Sequence, residues 1–434
     1  MMEHARPPDE KQKRRFSWPA AFDSRWLTAI VAAPPVSLLR EPRIHRVLGA
    51  NAVSSIGSGV TMIAVPWLIV QRPGGAWIFG YATAAITLAL VLLLPYYGWL
   101  LDRHSRKTVL LAGEAFGLLA TTVFLALAIF RGEFATWQLV GVFSAGTLYS
   151  TIHYPALFAF NQEVFEVAQY RELAGLVEVQ GQTASVIAGG LAAVLIERVD
   201  LTALLGLSTA SYLLSFFILR PLPYARSADR TPSRLSALQQ VGEGWRYLGE
   251  RPGFAMFLFC AFIPFVGVMV SNYLFPIYAS RALQAGPAVF GAGEVTFAVG
   301  SILAGLTIPH LTESIGSYRT VLLTVAMFAL AAGLLAIFPA VALYLVLSAM
   351  LGWGNAGSRV ARSTIILTAV PNSLIGRVNV LFNLLERLLR TFVLLYLTSQ
   401  VERLGAPFGF GVVSAMAALA WIGVAANRKS VPTT

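Results

Sequence analysis

Apolar stretches of about 20 residues, the length that crosses a hydrocarbon core as a helix, alternate with short polar or Pro- and Gly-containing breaks along this chain. They predict spans over residues 47–70, 77–101, 108–130, 137–160, 173–196 and 202–219, and again over 254–278, 289–311, 319–338, 340–358, 378–400 and 407–426. Lipid offers no partner for backbone N–H and C=O groups, so such runs are helices that satisfy their own hydrogen bonds. The expected fold is an all-α integral membrane protein of about 12 transmembrane helices.

A polar stretch, "PLPYARSADRTPSRLSALQQVGEGWRYLGERPG", separates the two sets of six. Pro and Ser come first, and the spacing of Leu235, Leu238, Val241, Trp245 and Leu248 then predicts one amphipathic surface helix. The resulting organisation is a tail over 1–46, a six-helix bundle over 47–220, a linker over 221–253, a second bundle over 254–427 and a short tail over 428–434. Two bundles joined by a linker are the plan of a duplicated transporter whose halves rock about a site near the bilayer midplane.

Composition agrees with this picture. Hydrophobic residues make up 56% of the chain and charged residues 12%, against about 25% charged in soluble domains. The formal charge of +11 raises the question of nucleic acid, but Lys and Arg concentrate in cytoplasmic loops of membrane proteins. With both ends placed inside, 25 of the 32 Lys and Arg residues fall in cytoplasmic segments, so topology accounts for the excess and no nucleic-acid partner is expected. The basic, Pro-rich tail around "RPPDEKQKRR" lacks the pattern of a cleaved signal peptide and is expected to stay in the cytoplasm, with "FSWPAAFDSRWLTAIV" lying along the inner interface. The lone Cys260 excludes disulfides within the chain and thiolate metal sites.

The densest charge lies in "GWLLDRHSRK", between spans two and three. Gly98 is followed four residues later by Asp102 and Arg103, then by Arg106 and Lys107. This spacing resembles the loop signature of the major facilitator superfamily, with Ser105 where that family prefers Gly. The resemblance implies the major facilitator fold and a conformational latch at the inner mouth, with Asp102 facing a helix N-terminus and the guanidinium of Arg103 or Arg106. A fainter copy in the second half, "PHLTESIGSYR", sets Glu313 at the acid and Gly316 at the turn, with Ser317 and Tyr318 in place of the basic pair. Span one, with Gly57 and Pro66-Trp67, and "RVARSTIILTAVPNSLIGRV", with Ala361-Arg362, Pro371 and Gly376-Arg377-Val378, resemble the efflux branch that includes enterobactin exporters and macrolide efflux proteins. Arg377 thereby joins the latch group. Leu157 and Gly189 stand where that branch carries Arg and Pro, which bears on whether antiport is retained.

Ionisable side chains deep in a bilayer are costly and point to function. In "NLLERLLRTF" of span eleven, Asn383, Glu386, Arg387 and Arg390 begin a few residues into the span, and Glu386 and Arg390 lie roughly 12–18 Å from the inner boundary at 1.5 Å per residue. Glu386 and Arg390 have the spacing of a helical ion pair, which leaves Arg387 to find another partner, such as Glu114, Glu178 or an anionic substrate. Glu114 and Glu178 sit about two turns from the inner end of their spans, where pairing with inner basic loops is the alternative to a coupling role. His153 in span four suits proton exchange or packing. Asn51 stands out on the small, polar face of span one as a substrate contact, while Gly57 and Gly59 suit close helix packing. Asn272 and Tyr273 near the outer end of span seven suggest a vestibule, with Glu294 nearby.

No phosphate-binding Gly loop is present, so the expected energy source is an ion gradient, with protons foremost and no cofactor or metal. The expected function is secondary active, proton-coupled efflux of an amphipathic small molecule by alternating access, in a monomer held in the inner or plasma membrane. Uptake of an anionic solute, lysolipid movement, and a non-transporting membrane partner or sensor are the alternatives.

Overall fold

The computed structural model describes residues 37–166, 169–224 and 237–431. The interfacial stretch expected before span one and Leu235 of the linker lie outside the described residues. A short 3-10 turn, Ser37–Arg40, leads into six long helices: α1 Pro42–Val70, α2 Gly75–Arg103, α3 Arg106–Arg131, α4 Thr136–Val164, α5 Tyr170–Arg198 and α6 Leu201–Leu219. The linker carries α7, Ala237–Gly249. Then come α8 Pro252–Ile277, continued by a π turn, α9 Pro287–Ile315, α10 Ser317–Ile337 and α11 Val341–Ala369. The last helical run, Asn372–Ala426, breaks at Gly405 (φ 75°, ψ 171°) into two arms, α12 (372–404) and α13 (406–426).

Ten stretches among the described residues are long and apolar enough to cross a membrane. The last of the ten holds both α12 and α13. α4 is as long as its neighbours but falls outside the ten, because Gln138, Thr147, Ser150, Thr151, His153 and Asn161 dilute its apolar surface. This multi-pass, all-helical membrane protein packs α1 on α5 and α6, α3 on α4 and α6, α9 on α11, and α10 on α11 and the α12–α13 run.

Two helix pairs make the main contact between the halves: α5 with α9, and α2 with the α12–α13 run. At the end away from the linker the contact is tight. A Cβ on Gly291 would meet the backbone of Ala193 at 2.8 Å, and one on Gly80 would collide with Thr398. Trp67 stacks on Phe290 at 5.7 Å, Phe79 meets Tyr273 at 5.7 Å, and the Tyr273 hydroxyl donates to the Ala76 carbonyl at 3.2 Å. Tyr273 is thus part of a closure and not of a vestibule, because aromatic rings fill the space where one was expected; Asn272 beside it is exposed.

Several helices run beyond their expected ends. α11 continues to Ala369, which moves Arg359 and Arg362 from an expected loop onto a helix. The linker helix forms as expected and packs on the α12–α13 run, but Trp245 is exposed, while Tyr247 and Leu248 are buried. The Tyr247 hydroxyl donates to the Ala369 carbonyl, and Gly244, Tyr247 and Leu248 form the buried face, with Gly244 in the place expected of Trp245.

Candidate functional site

The polar face of α1 divides between packing and chemistry. Gly57 and Gly59 lie where a Cβ would collide with Ser211 and Ala188, and Ser208 donates to the Gly57 carbonyl at 2.7 Å, so these small residues let α5 and α6 approach. Asn51 does something else. Its Oδ1 lies 3.0 Å from His153 Nε2 on α4, and its amide nitrogen donates to Gln180 on α5. On the other edge of the imidazole, Nδ1 lies 3.2 Å from Glu114 Oε1 on α3 and 3.0 Å from the Tyr149 hydroxyl, which is itself 3.0 Å from the same carboxylate oxygen. Glu114 is 0% exposed and His153 is 2% exposed.

Nε2 shares a hydrogen bond with the Asn51 amide, and hydrogen lies between Nδ1 and Oε1, since a bare lone pair there would face the carboxylate and Tyr149 has only one hydrogen for both. The second oxygen of Glu114 has no hydrogen-bond partner among the described residues. The Tyr154 ring edge packs on His153, and Tyr212 from α6 closes over Tyr149.

Three residues singled out from the sequence, Asn51, Glu114 and His153, therefore meet in one chain across α1, α3 and α4. Pairing of Glu114 with inner basic loops is excluded by its burial among these partners. Tyr149 and Gln180 were missed; Tyr149 lies one turn before His153 on the same helix face, the spacing that could have found it. Glu178 lies elsewhere. It is exposed and pairs at 3.7 Å with Arg359 of α11, across the two halves on the linker side.

In the second half, Glu386 and Arg390 form the expected ion pair at 3.2 Å, with Glu386 6% exposed. The Arg387 side chain is half-buried and makes no hydrogen bond or ion pair with any described residue, its backbone carbonyl accepting from Thr391; neither Glu114 nor Glu178 is its partner. Asn383, one turn earlier, is exposed.

The loop motif resolves into two anchors. Arg106 Nε lies 3.2 Å from Glu163 of α4, its Nη1 donates to the Ala159 carbonyl, and Tyr224 donates to Glu163. Lys107 donates to the Arg220 and Leu222 carbonyls at 2.7 and 2.6 Å, where the C-terminal dipole of α6 favours a cation. Glu163 thus faces Arg106, and these contacts hold together α3, α4 and the end of α6 within the first half. Gly98 and Asp102 close α2, with surroundings outside the described residues, and Arg103 is exposed.

The weaker copy keeps one of these contacts. Tyr318, the counterpart of Lys107, donates to the Val424 and Ala425 carbonyls at 3.3 and 3.4 Å, the end of α13. Glu313 is exposed. Arg377 is drawn to Glu243 of the linker helix, and a Cβ on Gly244 beside it would meet the Arg377 carbonyl at 2.8 Å. It anchors the linker to α12.

The model of the Major Facilitator Superfamily matches residues 47–394. The chain belongs to the major facilitator superfamily. It is 24% identical over 290 residues to macrolide efflux protein A of Streptococcus pyogenes, covering 66% of this chain and 70% of that protein. It is 25% identical over 347 residues to the enterobactin exporter EntS of Shigella flexneri, covering 79% and 82%. Among solved structures, the nucleoside transporter NupG superposes with a TM-score of 0.69 at 12% identity, covering 90% of this chain and 100% of that one. A bacterial homologue of the iron transporter ferroportin in its inward-facing state gives 0.60 at 17% identity, covering 90% and 99%. This superfamily member is a transporter, related to efflux proteins and sharing its fold with carriers of other cargo.

Proposed function

We propose that this transporter exports an amphipathic small molecule by alternating access, driven by protons taken up at the Glu114–His153 pair. The observation that carries the reading is the 3.2 Å approach of a carboxylate and an imidazole, both all but inaccessible, in helices of a membrane span. Charged groups at that depth are retained where they move ions or bind cargo. Tyr149, Tyr154 and Tyr212 are the other titratable groups facing the pair, and loss or gain of its proton alters the hydrogen bonds linking α1, α3, α4 and α5.

The distribution of Lys and Arg supports an orientation with both ends and the linker in the cytoplasm. The halves press together at the end away from the linker, so the protein has its outer side closed. Efflux direction and an amphipathic cargo are carried over from the macrolide and enterobactin relatives. The protein works as a monomer in the inner or plasma membrane, with no cofactor beyond the ion gradient.

The deciding experiment measures movement of a macrolide and of enterobactin into inverted proteoliposomes holding a pH-sensitive dye, with and without an imposed pH gradient. Accumulation that collapses with the gradient, together with proton movement upon cargo addition, is the expected result. Equal accumulation in both conditions overturns proton coupling.

A further inference from the structure

The membrane-embedded part of the second half holds more guanidinium groups than carboxylates. Arg390 is matched by Glu386, and Arg359 by Glu178 across the interface. Arg362 and Arg387 are left over. Arg362 is 9% exposed, lies over the Phe262 ring at 4.4 Å, and spends one donor on the Ala261 carbonyl at 3.3 Å. A guanidinium carries five N–H donors and no acceptor, so its edge remains unsatisfied by any carboxylate among the described residues.

Helical periodicity fixes where Arg387 points. Thr398 meets Gly80 of α2 across the interface. Positions 387 and 398 are eleven residues apart, about three turns, so the two share a face within roughly 20°. Asn383 lies about 40° from Arg387 and one turn nearer the linker end. Arg387 and Asn383 therefore line the space between the halves, beneath the closure. Arg362 does not join them: it lies over Phe262, which stands 5.4 Å from Phe382 of α12, and position 382 is about 140° from 387 around the helix.

We infer that the cargo is an amphipathic oxyanion, with its carboxylate or phosphate held by Arg387 and Asn383. An exposed Asn beside an unpaired Arg has no reason to face lipid, whereas together they offer a forked donor set to an oxyanion. This inference rests on the transporter reading, in which cargo passes between the halves. It is independent of proton coupling.

The test measures binding without flux. Protein in phosphatidylcholine nanodiscs is titrated with 1-pyrenebutyrate and with its neutral analogue 1-pyrenebutanol. The butyrate should bind more tightly. Arg387→Gln and Asn383→Asp should each weaken it on the order of tenfold or more, Arg387→Lys should retain part of the affinity, and the butanol should bind all four proteins alike. Asn383 is exposed, so its variant tests the site without disturbing packing. Adding phosphatidylglycerol distinguishes the source of the anion: displacement of pyrenebutyrate assigns the site to a lipid headgroup, and undiminished binding assigns it to a soluble amphiphile; either result upholds an oxyanion site. Equal affinity for the two probes, or variants that leave their ratio unchanged, overturns it. Failure of gradient-driven export with these binding results intact would defeat the coupling reading alone.

Discussion

Glu114 Oε1 and His153 Nδ1 lie 3.2 Å apart with no solvent access, bracketed by Tyr149 on one side and Asn51 on the other. Their hydrogen bonds run into α1, α3, α4 and α5, so a change of charge at the pair is felt by four helices at once. Replacing Glu114 with Gln removes the proton site while keeping its shape. Transport driven by a pH gradient should fall at least about tenfold, the equivalent of about 1.4 kcal/mol, while exchange of cargo across a membrane without a gradient continues. Unaltered gradient-driven flux in reconstituted Glu114→Gln would remove the pair from the coupling mechanism.

The two copies of the loop motif predict opposite responses to glycine. Ser105 has φ −66° and caps α3 by accepting from the Thr108 N–H at 3.0 Å, so no glycine is needed there. Ser105→Gly should cost a few tenths of a kcal/mol and Ser105→Ala about 1 kcal/mol. Gly316 has φ 86° and ψ 153°, a region open to little besides glycine, and Gly316→Ala should cost about 1–3 kcal/mol. Thermal unfolding of the three variants in detergent checks the order.

Arg106 and Glu163 tie α3 to α4 with Tyr224 alongside. Arg106→Ala leaves the largely buried acid short of its cation and should destabilise the first half by about 1–3 kcal/mol. Lys107→Met loses a cap at a helix C-terminus, worth about 0.3–1 kcal/mol. Because these contacts stay within one half, substrate affinity should hold in both variants; a large loss of affinity in Lys107→Met would mean that the loop reaches the cargo site.

Gly291 sits on the backbone of Ala193 at the closed end. Gly291→Leu should force that end apart. A cysteine replacing Phe290 should then react with a membrane-impermeant thiol reagent in the Leu variant and stay protected in its absence; the natural Cys260 is buried. Equal protection in both backgrounds would show that the closure does not depend on this crossing.

The existence and order of the membrane helices were legible because apolar length is a strong signal and tertiary packing has little power to override it. Their ends were not. "RVARST" looks like a loop because it carries two arginines, yet α11 runs through it: Arg359 finds Glu178 on another helix, and Arg362 lies on an aromatic ring. Trp245 fits an apolar stripe by spacing, but Gly244 is the residue that lets the linker helix reach Arg377. Asn51, Glu114 and His153 each stood out as costly in lipid; that they form one chain depends on three helices meeting, which no spacing in the sequence encodes. The ion pair of Glu386 with Arg390 was readable because both members share one helix.

The crossing of α5 and α9 has a mechanical consequence. Where Gly291 rests on Ala193 there are no long side chains to interlock, so parting the surfaces requires no rotamer to unwind and no salt bridge to break at that point. Such a joint wears no memory of its last position: it can separate and meet again many times along the same path, as a carrier that resets after each cargo must.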